Sequence, residues 1–357
     1  MDTRPTAIVY TGGRFHTSDA KTGHGLVRGP CRYAVLALVD AESAGRDAGE
    51  VLDGKRRGIP CHASFDACLA ALPTPPKYVV VGVATSGGVL PDDMKQALLP
   101  LVQRGIGVVN GLHEFLSDDP AFVAAARASG AELVDVRKPK PRRELHFWSG
   151  AIRSVRAPRI PVLGTDCALG KRTTCHVLVD ALQAAGKRAA IVATGQTGWL
   201  QGIEHGFVLD STPNDFVSGE LEHAIVRCDR ELAPDVIFVE GQSALRNPSG
   251  PCGAELVLSA EARGVVLQHA PARAFFEDQE RLGNRIPSLA SEIALIGMYG
   301  ARVLGIALNQ EHLAERDFEP MRAAVERETG LAAVYPLREG VARLVPAIVA
   351  YIEGAPR

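Results

Sequence analysis

Gly164-Thr165-Asp166-Cys167-Ala168-Leu169-Gly170-Lys171-Arg172-Thr173 is the stretch on which the reading of this chain turns. It follows an apolar run, Ile160-Pro161-Val162-Leu163, and leads into a helical pattern from Thr173 to Ala185 that Gly186 ends as a C-cap. A Gly-rich turn between strand and helix aims backbone N–H groups at one point, and the helix N-terminus adds partial positive charge there. Lys171 is placed to reach outer phosphates. The stretch therefore predicts a P-loop that holds a nucleotide or a nucleotide-containing cofactor. The plain alternative is a strand–loop–helix turn with chance glycines.

Two departures from the standard loop matter. Five residues separate Gly164 from Gly170, where four are usual. Arg172 stands where a Ser or Thr normally follows the lysine and binds magnesium, so Thr173 or Thr174 must supply that hydroxyl, or none does. A guanidinium cannot ligate a cation. Arg172 is expected to contact a cofactor phosphate or to pack behind the loop, with magnesium not required.

Around the loop, further apolar strands run through Ala189–Thr194, Asp235–Glu240, Gly264–Gln268 and Val303–Asn309, with helical patterns over Pro320–Thr329 and Val341–Ile352. The first half also alternates. Ala7–Tyr10, Tyr33–Asp40, Tyr78–Val83 and Gly107–Asn110 read as buried strands, and Phe65–Leu72 and Asp92–Arg104 as helices. Continuous apolar strands separated by helices predict mainly parallel sheets covered on both faces, an α/β protein. Val136 to Pro161 carries Lys138-Pro139-Lys140-Pro141-Arg142-Arg143 and more prolines, and reads as a connector. The expected division is a Rossmann-like domain at 1–140, a linker at 141–160 and a P-loop NTPase-like domain at 161–357.

Composition bounds the function. The 357 residues are 46% hydrophobic and 22% charged, with a net charge of −2 and no long basic run, which gives no support to a nucleic-acid partner. No apolar stretch is long enough to span a bilayer, and Met1-Asp2-Thr3-Arg4-Pro5 does not open like a signal peptide. Seven scattered cysteines without a CxxC pair fit reduced thiols in a cytoplasmic protein. A homo-oligomer is expected.

The opening Gly-Thr-Asp and the longer spacing resemble the loop of dethiobiotin synthetase and its relatives. In that class an acid near the metal ends a neighbouring strand, as Glu240 does here, and a later strand end reads the purine base, as Asn309 would. A solvated strand end and a simple turn residue are the alternatives for these two. Over nearly its full length the chain resembles the bacterial D-glutamate N-acetyltransferase (DgcN-like) family, formerly a domain of unknown function. The resemblance rests on Ala20–Arg28, Gly82–Gly88, Asn110–Pro120, Asp135–Arg137, the loop with its Arg172, and Gly195–Gly198.

That resemblance implies transfer of an acetyl group from acetyl-CoA to a D-amino acid, with D-glutamate the first candidate. Acetyl-CoA carries a phosphorylated ADP group that a P-loop can hold without hydrolysing ATP. The reaction needs a base for the ammonium proton, donors for the thioester oxyanion, and cations for an acidic substrate. His113 and Glu114 follow a strand end, where open parallel sheets bind ligands, and join Glu240 as candidate catalytic groups. Lys21 and Arg28, expected in a loop rich in Gly, are candidates for a substrate carboxylate, and Gly87 and Gly88 for close backbone approach. Gln196 is expected to face the phosphates. Cys167, at a helix N-terminus, has the setting of a lowered thiol pKa, and an acyl-cysteine competes there with a small residue fitted to a tight turn. No metal site is assigned. An ATP- and magnesium-dependent ligase or kinase, and a nucleotide-switched regulatory protein with Gly195 to Asp215 as its moving loop, are the competing readings.

Overall fold

The computed structural model describes residues 3–355, apart from the Ser86 side chain. Two compact units divide the chain. The first holds residues up to 140 plus 196–203, and the second holds 141–195 and 204 onward.

In the first unit the strands are β1 (Thr6–Tyr10), β2 (Ala34–Val39), β3 (Cys61–His62), β4 (Tyr78–Val81), β5 (Gly107–Asn110) and β6 (Leu133–Asp135). They lie in the order β3-β2-β1-β4-β5-β6, every pair parallel. This is the strand order of a Rossmann-type sheet, whose order reverses between β1 and β4. Tyr78 to Val81 are all buried, as a central strand covered on both faces requires. The edge strands β3 and β6 have two and three residues, too few to show a period in the sequence.

Gln196–Leu200 is a helix, and the chain adds it to the first unit before returning to the second at Glu204. Leu200 is fully buried in one core of the first unit, with Val9, Leu26 and Val27. Arg32 N donates to the Leu200 carbonyl at 2.9 Å, and Gln201 Nε2 donates to that of Gly25 at 2.9 Å. The stretch read as a switch loop thus contains a packed helix, and the division at 161–357 misses this excursion. Its five-residue helix is too short to announce itself by periodicity.

The second unit contains β7 (Arg159–Gly164), β8 (Ala189–Val192), β9 (Val236–Glu240), β10 (Gly264–His269), β11 (Arg302–Leu308) and β12 (Ala333–Val334), ordered β12-β11-β10-β7-β9-β8 and again all parallel. Two apolar clusters, one containing Ile237 and Leu267 and the other Phe238 and Val266, alternate along the same strands and so lie on opposite faces of this sheet. β7 lies between β9 and β10, so the loop after β7 opens beside the ends of both neighbours.

The stretch expected to be a linker is largely part of this unit. Ile152 is fully buried in its core. Glu222, on the helix Asn214–Leu232, accepts the Ser149 N–H and hydroxyl at 2.7 Å each and the Ile152 N–H at 3.1 Å. Glu220 accepts the His146 N–H at 3.0 Å. A Cβ on Gly219 would run into the His146 carbonyl, so glycine lets residues 146–149 lie directly on the helix. Charge and proline content concealed this because the docking partners sit some 70 residues further on. The expected helix Val341–Ile352 is also shortened: helices cover Pro336–Glu339 and Val345–Glu353, and Pro346 bars the preceding residues from a continuous helix.

Candidate functional site

The phosphate-loop stretch forms a concave backbone turn between β7 and the helix Lys171–Ala184. Ala168 and Gly170 take left-handed backbone angles, φ 51° and 95°, which turn successive amides to one side. Among the described residues, no acceptor faces the N–H groups of Cys167, Ala168, Leu169 and Gly170. Unpaired amides at a helix N-terminus form an anion cradle. Gly164 keeps the inner wall open, since a Cβ there would stand 2.9 Å from Lys171 Nζ.

Lys171 is buried and folds back over this turn. Its ammonium donates to the Asp166 carbonyl at 2.6 Å and the Ser243 carbonyl at 2.9 Å. Burial pushes its pKa below the ordinary lysine value, against the opposing pull of Cys167 and Asp166. Asp166 is fully buried and turns its carboxylate outward from the cradle, to Arg273 Nη1 (2.7 Å), the Glu277 N–H (2.8 Å) and Asn247 Nδ2 (3.2 Å). Arg273 also donates to the Cys167 carbonyl at 3.0 Å and pairs with Glu311. The loop's shape is therefore held by side chains from segments after β9 and β10.

Thr165 donates its N–H to the Gln268 carbonyl at 3.0 Å, and its hydroxyl lies 2.9 Å from His269 Nδ1. Burial lowers the His269 pKa to about 4, so this imidazole is neutral at pH 7 and serves as a hydrogen-bond partner rather than a cation. Thr174 gives its hydroxyl proton to Gln268 Oε1 at 2.6 Å, and Thr173 lies in the same first helical turn, half-buried. Glu240, at the buried end of β9, accepts the Thr194 N–H at 3.1 Å and lies 3.5 Å from Arg172 Nη1. Asn309, just after β11, donates to the Leu169 carbonyl at 3.1 Å and accepts the Glu311 N–H at 2.8 Å. Its amide thus braces the loop. Cys167 Sγ lies 3.4 Å from Ser243 Oγ, which it meets as a donor. Among the described residues no three or more His, Cys, Asp or Glu side chains gather where they could share a metal ion.

The first unit holds the remaining candidates. Lys21 and Arg28 are the two ends of a helix, Lys21–Arg28, and not loop residues. Their glycines misled the reading. Gly23 donates to the Gly82 carbonyl at 2.7 Å, and a Cβ on it would stand 3.1 Å from Thr11 Cγ2, so glycine serves close packing of the helix. Lys21 is exposed, and Arg28 Nε is 3.6 Å from Asp53. Gly87 and Gly88 both have positive φ, 74° and 67°, in a turn after β4. The Gly88 carbonyl accepts the N–H of His113 at 2.8 Å and of Glu114 at 3.2 Å. Glu114 accepts the Leu90 N–H at 3.0 Å and pairs with Lys95, so it ties this turn down. His113 is exposed, its ring lying where a Gly88 Cβ would be. Gln196 groups with the first unit, where its Cγ is 3.1 Å from the place of a Gly111 Cβ.

Sequence reasoning passed over Arg273, Asn247, Ser243 and His269. His269 ends β10 at the same sheet edge as Glu240 and could have been found by that rule. Arg273 follows in a turn without any motif.

Fold and loop together define a Rossmann-like domain joined to a P-loop domain with an anion cradle. Residues 146–345 match the P-loop domain described as a domain of unknown function, DUF1611_C, and residues 41–139 match its Rossmann-like companion, DUF1611_N. The chain belongs to the DUF1611 family. A crystal structure of a DUF1611 family protein from Anabaena variabilis shares the fold, with a TM-score of 0.87 at 30% identity over 97% of this chain and 99% of that one. A protein named D-glutamate N-acetyltransferase from Tritonibacter scottomollicae is 32% identical over 281 residues, 77% of this chain and 81% of the relative. Another of that name, from a Pseudoalteromonas species, is 27% identical over 75% of this chain and 80% of its own length. Among the described residues no helix is long and apolar enough to cross a membrane.

Proposed function

We propose that this protein is an N-acetyltransferase that moves the acetyl group of acetyl-CoA to the amine of a D-amino acid, with D-glutamate the foremost candidate. The observation that carries the reading is the likeness to two proteins named for that activity, over 281 residues, more than either unit holds. The likeness is therefore not confined to a shared phosphate loop.

The cradle fits the donor's chemistry. Four amides without acceptors and a buried ammonium suit a pyrophosphate or a 3′-phosphate, and both occur in acetyl-CoA. Bound there, acetyl-CoA supplies an activated thioester. The amides of Cys167 to Gly170 bind the phosphate oxygens, and Lys171 exchanges its carbonyl partners for them. Asp166, held by Arg273, keeps the turn in shape before the ligand arrives, which lowers the ordering cost of binding. Thr165 is oriented by His269.

The test is thiol release from acetyl-CoA by the purified protein with D-glutamate, with L-glutamate as stereochemical control. Thiol release with D-glutamate alone supports the proposal. Amino-acid-dependent ADP formation from ATP, with no thiol release, overturns it in favour of an ATP-dependent enzyme.

A further inference from the structure

We infer that Arg172 is the built-in counterion of Glu240, standing where other P-loops place magnesium, so that this cradle binds adenosine phosphates without a divalent cation. The inference rests on reading the loop as a phosphate site.

In metal-dependent P-loops, the hydroxyl after the lysine and an acid on a nearby strand hold the ion. Both positions are identifiable here. The residue after Lys171 is Arg172, and the acid is Glu240, which ends β9. β9 runs directly beside β7, with Val162 opposite Glu240, so the acid lies next to the start of the loop. Arg172 Nη1 reaches to 3.5 Å from Glu240 Oε1, while Oε2 accepts the Thr194 N–H. One carboxylate oxygen is thus set against a cation and the other against an amide.

Burial makes this arrangement selective. The side chains are 20% and 5% exposed, so water screens the pair little. A divalent ion on Glu240 would meet the guanidinium at close range, and like charges in a poorly screened space repel strongly. Nor does Thr174 restore the usual ligand, since its buried hydroxyl is turned to Gln268. The ligand class that follows is an adenosine phosphate whose charge is met by fixed amides and Lys171, and not a triphosphate that must arrive chelated.

Calorimetry with coenzyme A and ADP, in EDTA and in magnesium, tests this. The wild type is expected to bind equally in both. R172S returns the hydroxyl and frees Glu240, and its ADP affinity is expected to rise between about fivefold and 150-fold with magnesium, the range of typical coupling between two ligands. R172K keeps the charge and should stay indifferent, and R172S/E240Q should lose the response. Wild-type affinity that collapses in EDTA, wild-type failure to bind either nucleotide, or a folded R172S as indifferent as the wild type overturns the inference. Should R172S not fold, the wild-type EDTA comparison decides. Metal-free binding without acetyl transfer would remove the proposed activity and leave this inference standing. Acetyl transfer supported by metal-dependent binding would do the reverse.

Discussion

The Arg273 guanidinium donates to Asp166 Oδ2 at 2.7 Å, joining residues 107 positions apart and fixing the phosphate loop from the segment after β10. Asp166 is fully buried, so removing the arginine leaves a buried carboxylate without its paired guanidinium. R273A is expected to lower stability by about 3 kcal/mol in urea unfolding, the low end for a broken buried pair. D166A/R273A should lose less than the two single losses added. Strict additivity would show that the pair is not coupled.

Lys171 sets its ammonium against the cradle, on the Asp166 and Ser243 carbonyls. K171A is expected to weaken coenzyme A binding by about 1.5–3 kcal/mol, the scale of a charged hydrogen bond, read by calorimetry. Unchanged affinity would remove the phosphate site from this loop.

The same lysine gives a pH signature. Burial depresses its pKa in the folded protein, and only the ammonium attracts phosphate. Affinity for adenosine 3′,5′-bisphosphate, which has no thiol to titrate, should be level near neutrality. It should fall as pH rises through that lowered pKa, before an ordinary lysine would titrate. K171R should hold its affinity further into the alkaline range. Equal profiles for the two proteins would contradict the assignment.

Glu222 ties residues 149–152 to the helix Asn214–Leu232. Burial opposes its ionisation, but N–H bonds from Ser149 and Ile152 and the Ser149 hydroxyl outweigh that and hold its pKa below the ordinary glutamate value. A lowered folded-state pKa contributes stability that is present above the unfolded value and lost as pH falls through the folded one. E222Q should therefore be less stable than the wild type at pH 7 by about 1.5–3 kcal/mol. The gap should narrow as pH falls from the ordinary glutamate value of 4.5 through the lower folded-state value. Urea unfolding at both pH values gives the comparison, and a gap that widens in acid would be the wrong sign.

Gly88 combines a left-handed φ of 67° with contact to the His113 ring. G88A should lose more than the roughly 1–2 kcal/mol of left-handed backbone strain, because the new methyl also meets the ring. G88A/H113A should recover the steric part alone. Equal stability of the two variants would show that the ring moves aside freely.

Much of the fold was legible because its signals are local. Val79-Val80-Val81 and Val265-Val266-Leu267 are continuous apolar runs, and the turn from Gly164 to Lys171 carries its own glycines, so neighbours within a few residues decide each element. The short helix Gln196–Leu200 and the edge strands Cys61–His62 and Ala333–Val334 were not legible, since two to five residues hold no period.

By itself, the sequence determined two parallel α/β halves, the position of the phosphate loop, and the presence of an arginine where a hydroxyl usually stands. Only the tertiary structure decided what that arginine does. Strand order sets β9 beside β7 and brings Glu240 within 3.5 Å of Arg172, and the same sheet edge carries His269, Asn309 and the turn bearing Arg273. Tertiary packing likewise placed Ile152 in a core and residues 196–203 in the first unit. The physical reason is the range of the interactions. Turn chemistry and periodicity act between neighbours along the chain, whereas ion pairs and docked segments join residues that only a completed sheet brings together.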